Sequence, residues 1–286
     1  MNVLIVYAHP DPNSLTGSLK DLAVSALRAD GHDVVVTDLY AMKWQAAADF
    51  TDFDGITGPD FMHASGAAYG SGRLTEDIRA EQQKLLDADL VILQFPLWWF
   101  TVPAILKGWI DRVFTYDFAY GAEIPRYGAG PFAGKRAMLT TTAGGRTGHY
   151  TERGVNGPID DLLFPINHGV LHFTGFDVLP PFVEHSAVHL DDQHYTEIAE
   201  RYRRRLATAF TAEPISYRPE SGGDYTGLTY QDGSELVPGR ESPGTSGFAL
   251  HIDRGPATPQ WSGSRPAPLA QDRFLGGSDR RGEAGP

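Results

Sequence analysis

The chain is 286 residues long, contains no cysteine and carries a formal net charge of −12. Without cysteine there is no disulfide, no thiolate metal site and no cysteine nucleophile. So acidic a balance argues against wrapping nucleic acid, which needs a concentrated basic face, and the length admits one large domain or a domain with an extension. Met1-Asn2 leads straight into an apolar run, with no basic leader and no small-residue cleavage site, which predicts a cytoplasmic protein without a signal peptide.

Residues 3–8 (VLIVYA) have the unbroken apolar character of a strand buried on both faces. His9-Pro10-Asp11-Pro12-Asn13-Ser14 then reads as a turn. Leu15, Leu19, Leu22, Ala26 and Leu27 recur at helical spacing, and Gly31 ends that run. Residues 33–39 (DVVVTDL) form the next strand. A β–α–β pattern this early is the mark of a parallel sheet with helices on its faces. Residues 40–74 read as an irregular excursion over the sheet. Residues 75–88 read as a helix with Thr75 as N-cap and Glu76 and Asp77 at the positive end of its dipole.

The stretch 90–114, LVILQFPLWWFTVPAILKGWIDRVF, organises the chain. Residues 90–95 form a buried strand whose one polar member is Gln94, and Pro96 stops it. Leu97, Trp98, Trp99 and Phe100 crowd into a loop. Pro103 opens a helix whose apolar side carries Ile105, Leu106, Trp109, Ile110 and Val113. This is no membrane span, because the apolar part is shorter than about 20 residues and two prolines break it. Residues 136–142 (RAMLTTT) are the fourth strand, followed by Ala143-Gly144-Gly145 and a loop containing Tyr150. Residues 159–173 read as a helix kinked at Pro165, 177–184 as a fifth, proline-bearing strand and 191–210 as a closing helix. Within that helix, Arg201, Arg203, Arg204 and Arg205 read as a solvated face.

Five strands alternating with helices give an α/β fold: a flavodoxin-like, doubly wound parallel sheet of order 2-1-3-4-5. Residues 1–213 are read as this domain. Residues 214–286, roughly 30% glycine plus proline, are read as an extension. Tyr225, Leu228, Tyr230, Phe248, Leu250, Ile252 and Trp261 are enough to dock part of it, to about Trp261, and leave its end loose.

In a doubly wound sheet the loops after strands one, three and four converge on one crevice. The first offers Ser14, Thr16 and Ser18 at a helix N-terminus, where backbone N–H groups and the dipole favour phosphate. The second offers flat aromatic rings and the third two glycines that let a planar ligand approach. Each part alone has an ordinary structural explanation, as a cap, core bulk or a turn. Arriving together on successive strand ends, they fit a flavin nucleotide. His168 and His172, and likewise His185 and His189, are spaced i, i+4, but neither pair has the glutamate of a metalloprotease helix, so no metal site is expected.

The segments LQFPLWWFTVPAILKGWIDRVF, AHP near the N-terminus, TAGG followed by Tyr150, and FPINHGVLHFTGFDV resemble the NAD(P)H:quinone oxidoreductase (DT-diaphorase) family of flavodoxin-like flavoproteins. The resemblance covers about residues 2–210. A weaker echo, GFALHIDRGPATP at 247–259, is similar to the C-terminal segment of vertebrate members that packs at their dimer interface. The resemblance implies FAD rather than FMN, bound without a covalent link in a homodimer whose sites use both subunits. NAD(P)H would deliver a hydride to the flavin and leave, and a quinone would then take two electrons from the same pocket. It implies that His9, Ser14, Leu15, Thr16 and Ser18 hold the pyrophosphate and ribose side. Pro96, Leu97, Trp98, Trp99 and Phe100 would line the isoalloxazine, and Thr142, Ala143, Gly144 and Gly145 would meet its polar edge. Tyr150 falls on the catalytic tyrosine, near a carbonyl where negative charge develops, and Phe118 and Tyr120 would reach the partner's substrate pocket.

Two positions depart from that pattern. Asn156 stands where well-studied members have a histidine, and an amide cannot take up a proton, which leaves His149 as a candidate substitute. Trp98 stands where they carry glutamine, which bears on the shape of the acceptor pocket. A separate nicotinamide-binding module would need a GxGxxG loop; the chain has none, as a single shared pocket requires. Two alternatives are a flavin enzyme for azo or nitro acceptors and an ancillary subunit of a potassium-efflux system.

Overall fold

The computed structural model describes residues 1–58, 60–188, 191–227 and 234–255. Its centre is a five-stranded parallel sheet: β1 (Asn2–Tyr7), β2 (Asp33–Asp38), β3 (Leu90–Pro96), β4 (Arg136–Thr142) and β5 (Asp177–Glu184), in the order β2-β1-β3-β4-β5. The order is the expected one. The direction in which successive strands are added reverses between β1 and β3, which pair in parallel, Val3 with Leu90 and Tyr7 with Gln94. Every residue of β3 is buried, as a strand covered on both faces requires.

Two apolar layers cover the sheet. On one face α1 (Leu15–Ala29) packs beside α6 (Asp192–Ala207) over Val3, Ile5, Leu90, Ile92 and Met138. On the other lie α2 (Phe61–Gly70), α3 (Glu76–Asp87), α4 (Ala104–Val113) and α5 (Ile159–Ile166), over Leu4, Val6, Val91, Leu93 and Leu139. The edge strand β5 carries Pro180 and Pro181, tolerable where one side of a strand is unpaired. Its pairing with β4 slips between Met138 and Thr140.

The structure departs from the sequence reading in three places. The 40–74 excursion contains a helix, α2, capped by the Asp60 carboxylate accepting from His63 N–H at 2.9 Å. Arg112 fastens the excursion: it is 4% exposed, donates to Asp52 at 2.7 Å, pairs with Asp77 at 2.8 Å and lies over the Trp44 ring. Thr75 takes the N-cap position of α3 but makes no side-chain capping bond. The helix from Ile159 runs to His172 but changes its hydrogen-bond step on the way. It passes into a π-helical turn, Asn167–His172, just after Pro165, whose missing N–H removes one rung of the α-helical ladder.

Residues 214–218 run along β5, Ile215 N–H donating to Val178 O at 2.7 Å. Tyr217 and Arg218 are buried. The 3-10 turn Gly247–His251 closes over the same region, with Phe248 stacked on Phe164 at 4.3 Å. Leu228, Tyr230 and Trp261 lie outside the described residues.

Candidate active site at the strand carboxyl ends

The turn after β1 leads into α1. Ser14 caps that helix: its hydroxyl accepts from Gly17 N–H at 3.1 Å and donates to Asp11 O at 2.7 Å. The turn closes tightly because residue 17 is glycine, since a Cβ there would lie 2.1 Å from Pro12 O. Ser14 is thereby committed to the cap. Thr16 is buried, and its hydroxyl shares a 2.8 Å hydrogen bond with that of Thr142. What the first turn keeps for a ligand is backbone: among the described residues, the Leu15 and Thr16 N–H groups have no partner. Such groups favour an anion. His9 lies at the rim, its Nδ1 accepting from Asp11 N–H at 3.0 Å and its ring 5.9 Å from Trp98.

A buried polar chain ties these elements together from below. Gln94 of β3 is fully buried and donates to Thr16 O at 2.8 Å. Its other amide atom faces the Tyr202 hydroxyl of α6 at 3.5 Å, which in turn lies 3.0 Å from Thr140 Oγ1 of β4. The one polar residue of the third strand is thus a node joining α1, α6 and β4.

After β3, Trp98 and Thr101 pair through both backbone bonds at 3.0 Å, closing a two-residue turn. Trp99 (φ 50) and Phe100 (φ 63) are both left-handed, a conformation that costs a side-chain-bearing residue energy and clusters at functional sites. Their N–H groups have no partner among the described residues. The rings are unequal as walls: Trp99 is 92% exposed, whereas Trp98 and Phe100 are partly covered. Pro96 is buried and Leu97 half-buried, its N–H held by Thr142 O at 2.8 Å.

After β4, Thr142 and Ala143 are buried and used by the fold, so the surface on offer is Gly144 and Gly145. Tyr150, half-buried, folds back over that ledge. A Cβ on Gly145 would come within 2.9 Å of its ring and 3.1 Å of its hydroxyl. Asn156 closes the loop by its backbone, donating to His149 O at 3.0 Å. The imidazole whose ring lies against Tyr150 is that of His185, after β5, at 5.1 Å and tilted by 30°, while His149 is exposed. His185 Nδ1 is enclosed and has no partner among the described residues, and burial lowers the ring's pKa.

Phe118 and Tyr120 are not brought to this crevice within the chain. Phe118 is 4% exposed and packs edge-on against Phe132, so it is a core residue with no ring to offer at a surface. Tyr120 is half-buried and lines a cleft of about 780 Å³ with Tyr116, Ile124 and Phe173.

His168 and His172 do meet, at 5.4 Å on the π-helical turn, whereas His185 sits in an irregular segment and His189 lies outside the described residues. Among the described residues, no group of three or more His, Cys, Asp or Glu side chains could hold a metal ion. Nor is any helix there long and apolar enough to cross a membrane.

With this geometry in hand, a family profile described as the flavodoxin-like fold matches residues 1–206. A ribosyldihydronicotinamide dehydrogenase-like protein from Penicillium crustosum is 46% identical, over 88% of this chain and 95% of its own length. The NAD(P)H dehydrogenase [quinone] 1 of Cavia porcellus is 41% identical, over 80% and 84%. The chain belongs to the flavodoxin-like NAD(P)H:quinone oxidoreductase family. The solved structure of a candidate quinone reductase from Klebsiella pneumoniae superposes with a TM-score of 0.82 at 47% identity, covering 88% of this chain and 99% of that one. Human ribosyldihydronicotinamide dehydrogenase [quinone] is 44% identical, over 74% of this family member and 94% of its own chain.

Proposed function

We propose that the chain is an FAD-dependent oxidoreductase that reduces quinones by two electrons at the expense of a reduced nicotinamide. The observation that carries this reading is the meeting of three unlike surfaces at the strand ends. They are the free N–H groups of α1, the left-handed Trp99–Phe100 turn with its own free N–H groups, and the Gly144–Gly145 ledge under Tyr150. The donor set suits a flavin nucleotide. One enclosed polar atom, Thr141 Oγ1 near the end of β4, has no partner among the described residues, and such an atom calls for a polar partner.

FAD held there would supply the hydride relay between donor and acceptor in two half-reactions through one pocket. Leu15 and Thr16 N–H would bind its pyrophosphate, with the dipole of α1 adding to the attraction. Trp99 and Phe100 N–H and the glycine ledge would orient the ring system. The Tyr150 hydroxyl would donate toward the polar edge on which negative charge grows, lowering the barrier by stabilising that charge more than the starting state. A second copy of the chain is supported by the exposed Trp99 and Val155. Tyr120, rather than the core residue Phe118, is the ring such a partner would offer.

The relatives named for ribosyldihydronicotinamide, at 44–46% identity, support that compound as a second candidate donor beside NAD(P)H. The test is a visible spectrum of the purified protein, followed by each donor added anaerobically and then a quinone. Flavin bands that bleach with a donor and return with quinone are expected. A protein that takes up no flavin sinks the proposal.

A further inference from the structure

We propose that His185 is the positioning residue of this site, bracing the Tyr150 ring over the Gly144–Gly145 ledge and so fixing where its hydroxyl meets a ligand. The inference rests on the reading of the site given above and adds a fourth strand end to it. The segment after β5 is built to deliver that side chain. Ala143 N–H donates to Glu184 O at 2.7 Å, Ser186 N–H to Gly145 O at 3.0 Å and Ala187 N–H to Ala143 O at 3.1 Å. The ledge and the segment carrying His185 are therefore laced together on both sides of the histidine. Ser186 is left-handed (φ 57), a strained state for a residue with a side chain, and it turns the chain next to His185.

The product of this lacing is the ring contact itself, a tilted pair with centroids 5.1 Å apart and planes at 30°. Tyr150 also lies against Gly145, which is too close to its ring to accept a Cβ. The phenol thus touches both a glycine and an imidazole. Glu184 beside it is ion-paired with Arg201, so that carboxylate is already engaged, and burial lowers the His185 pKa, which favours the neutral ring. A neutral flat ring packs against a phenol without perturbing its charge, which suits a brace. His185 acts through Tyr150, so the two side chains form one unit.

The test compares His185→Ala and His185→Phe, each with and without Tyr150→Phe, in the flavin-loaded chain and in the chain stripped of flavin. His185→Ala should lower the rate constant of flavin reduction about tenfold with little change in KM for the donor, and His185→Phe should restore most of it. Combined with Tyr150→Phe, His185→Ala should add nothing further. In the flavin-free chain, the Tyr150 ring resonance, identified by its loss in Tyr150→Phe, should move in His185→Ala. Failure of the parent chain to take up flavin would count against the oxidoreductase reading. Flavin uptake that is intact, with an unmoved Tyr150 resonance or with losses that multiply in the double variant, would overturn the brace alone.

Discussion

Lowering the pH from 7 to 5 should weaken the fold through His168. This histidine lies on the π-helical turn, stacked on Phe164 at 4.5 Å and 14° and edge-on to Tyr217 at 5.0 Å, with Nε2 enclosed and unpartnered. Burial is the main cause that brings its pKa down to about 3, with the nearby His172 and His251 acting in the same direction. An exposed histidine titrates near 6.5, so between those values the unfolded chain binds a proton that the native chain refuses, and stability falls as the pH drops. From pH 7 to 5 the linkage amounts to about 2 kcal/mol for this residue. His172 and His251, both lowered by burial, lose stability over the same acidic range. Urea unfolding across this interval should be run on the parent and on His168→Phe, which keeps the stack but has no proton to gain. The variant should lose about 2 kcal/mol less than the parent. Parallel curves would show that the imidazole is not held neutral and would refute the argument.

Three other perturbations report on separate parts of the molecule. Tyr150→Phe removes the hydroxyl over the ledge and should slow flavin reduction about tenfold or more, roughly 1.4 kcal/mol of barrier, in stopped-flow absorbance; an unchanged rate removes Tyr150 from the chemistry. Gly17→Ala forces a Cβ to within 2.1 Å of Pro12 O and should open the first turn of α1, costing about 1–3 kcal/mol and weakening flavin retention at least tenfold by equilibrium dialysis. Wild-type retention would show that this turn does not hold the cofactor. Arg112→Gln leaves the Asp52 carboxylate buried without its cation and should cost about 3–5 kcal/mol in chemical denaturation; a loss under 1 kcal/mol would mean that the pair does not fasten the excursion.

The sheet was legible because its strands are short apolar runs bounded by turn residues, and parallel topology leaves few orders to choose from. The helix α2 was not. FMHASGAAYG is small and apolar all round, and Gly66 sits within it, so no amphipathic period marks it. Its one clear signal was Asp60 placed three residues before His63, a capping pattern. Pro165 correctly marks a break in the helical ladder, but a proline alone does not say whether the helix bends or changes its hydrogen-bond step. The contribution of His185 was hidden for a different reason. Its partner Tyr150 is remote in sequence, on another strand's loop, and the spacing to His189 pointed toward a helix, whereas residues 185–188 are not helical. Gln94 could have been read more fully, since a lone amide in a doubly buried strand must find polar partners, and it finds Thr16.

The line from Thr142 through Thr16 and Gln94 to Tyr202 works as a fixed jaw. It holds the first turn of α1 and the carboxyl ends of β3 and β4 at one separation, because shifting any of them would strand hydrogen-bonding groups in the dry interior. Movement at this end of the sheet is then left to the loops outside that line, the Trp98–Thr101 turn and the segment around Tyr150.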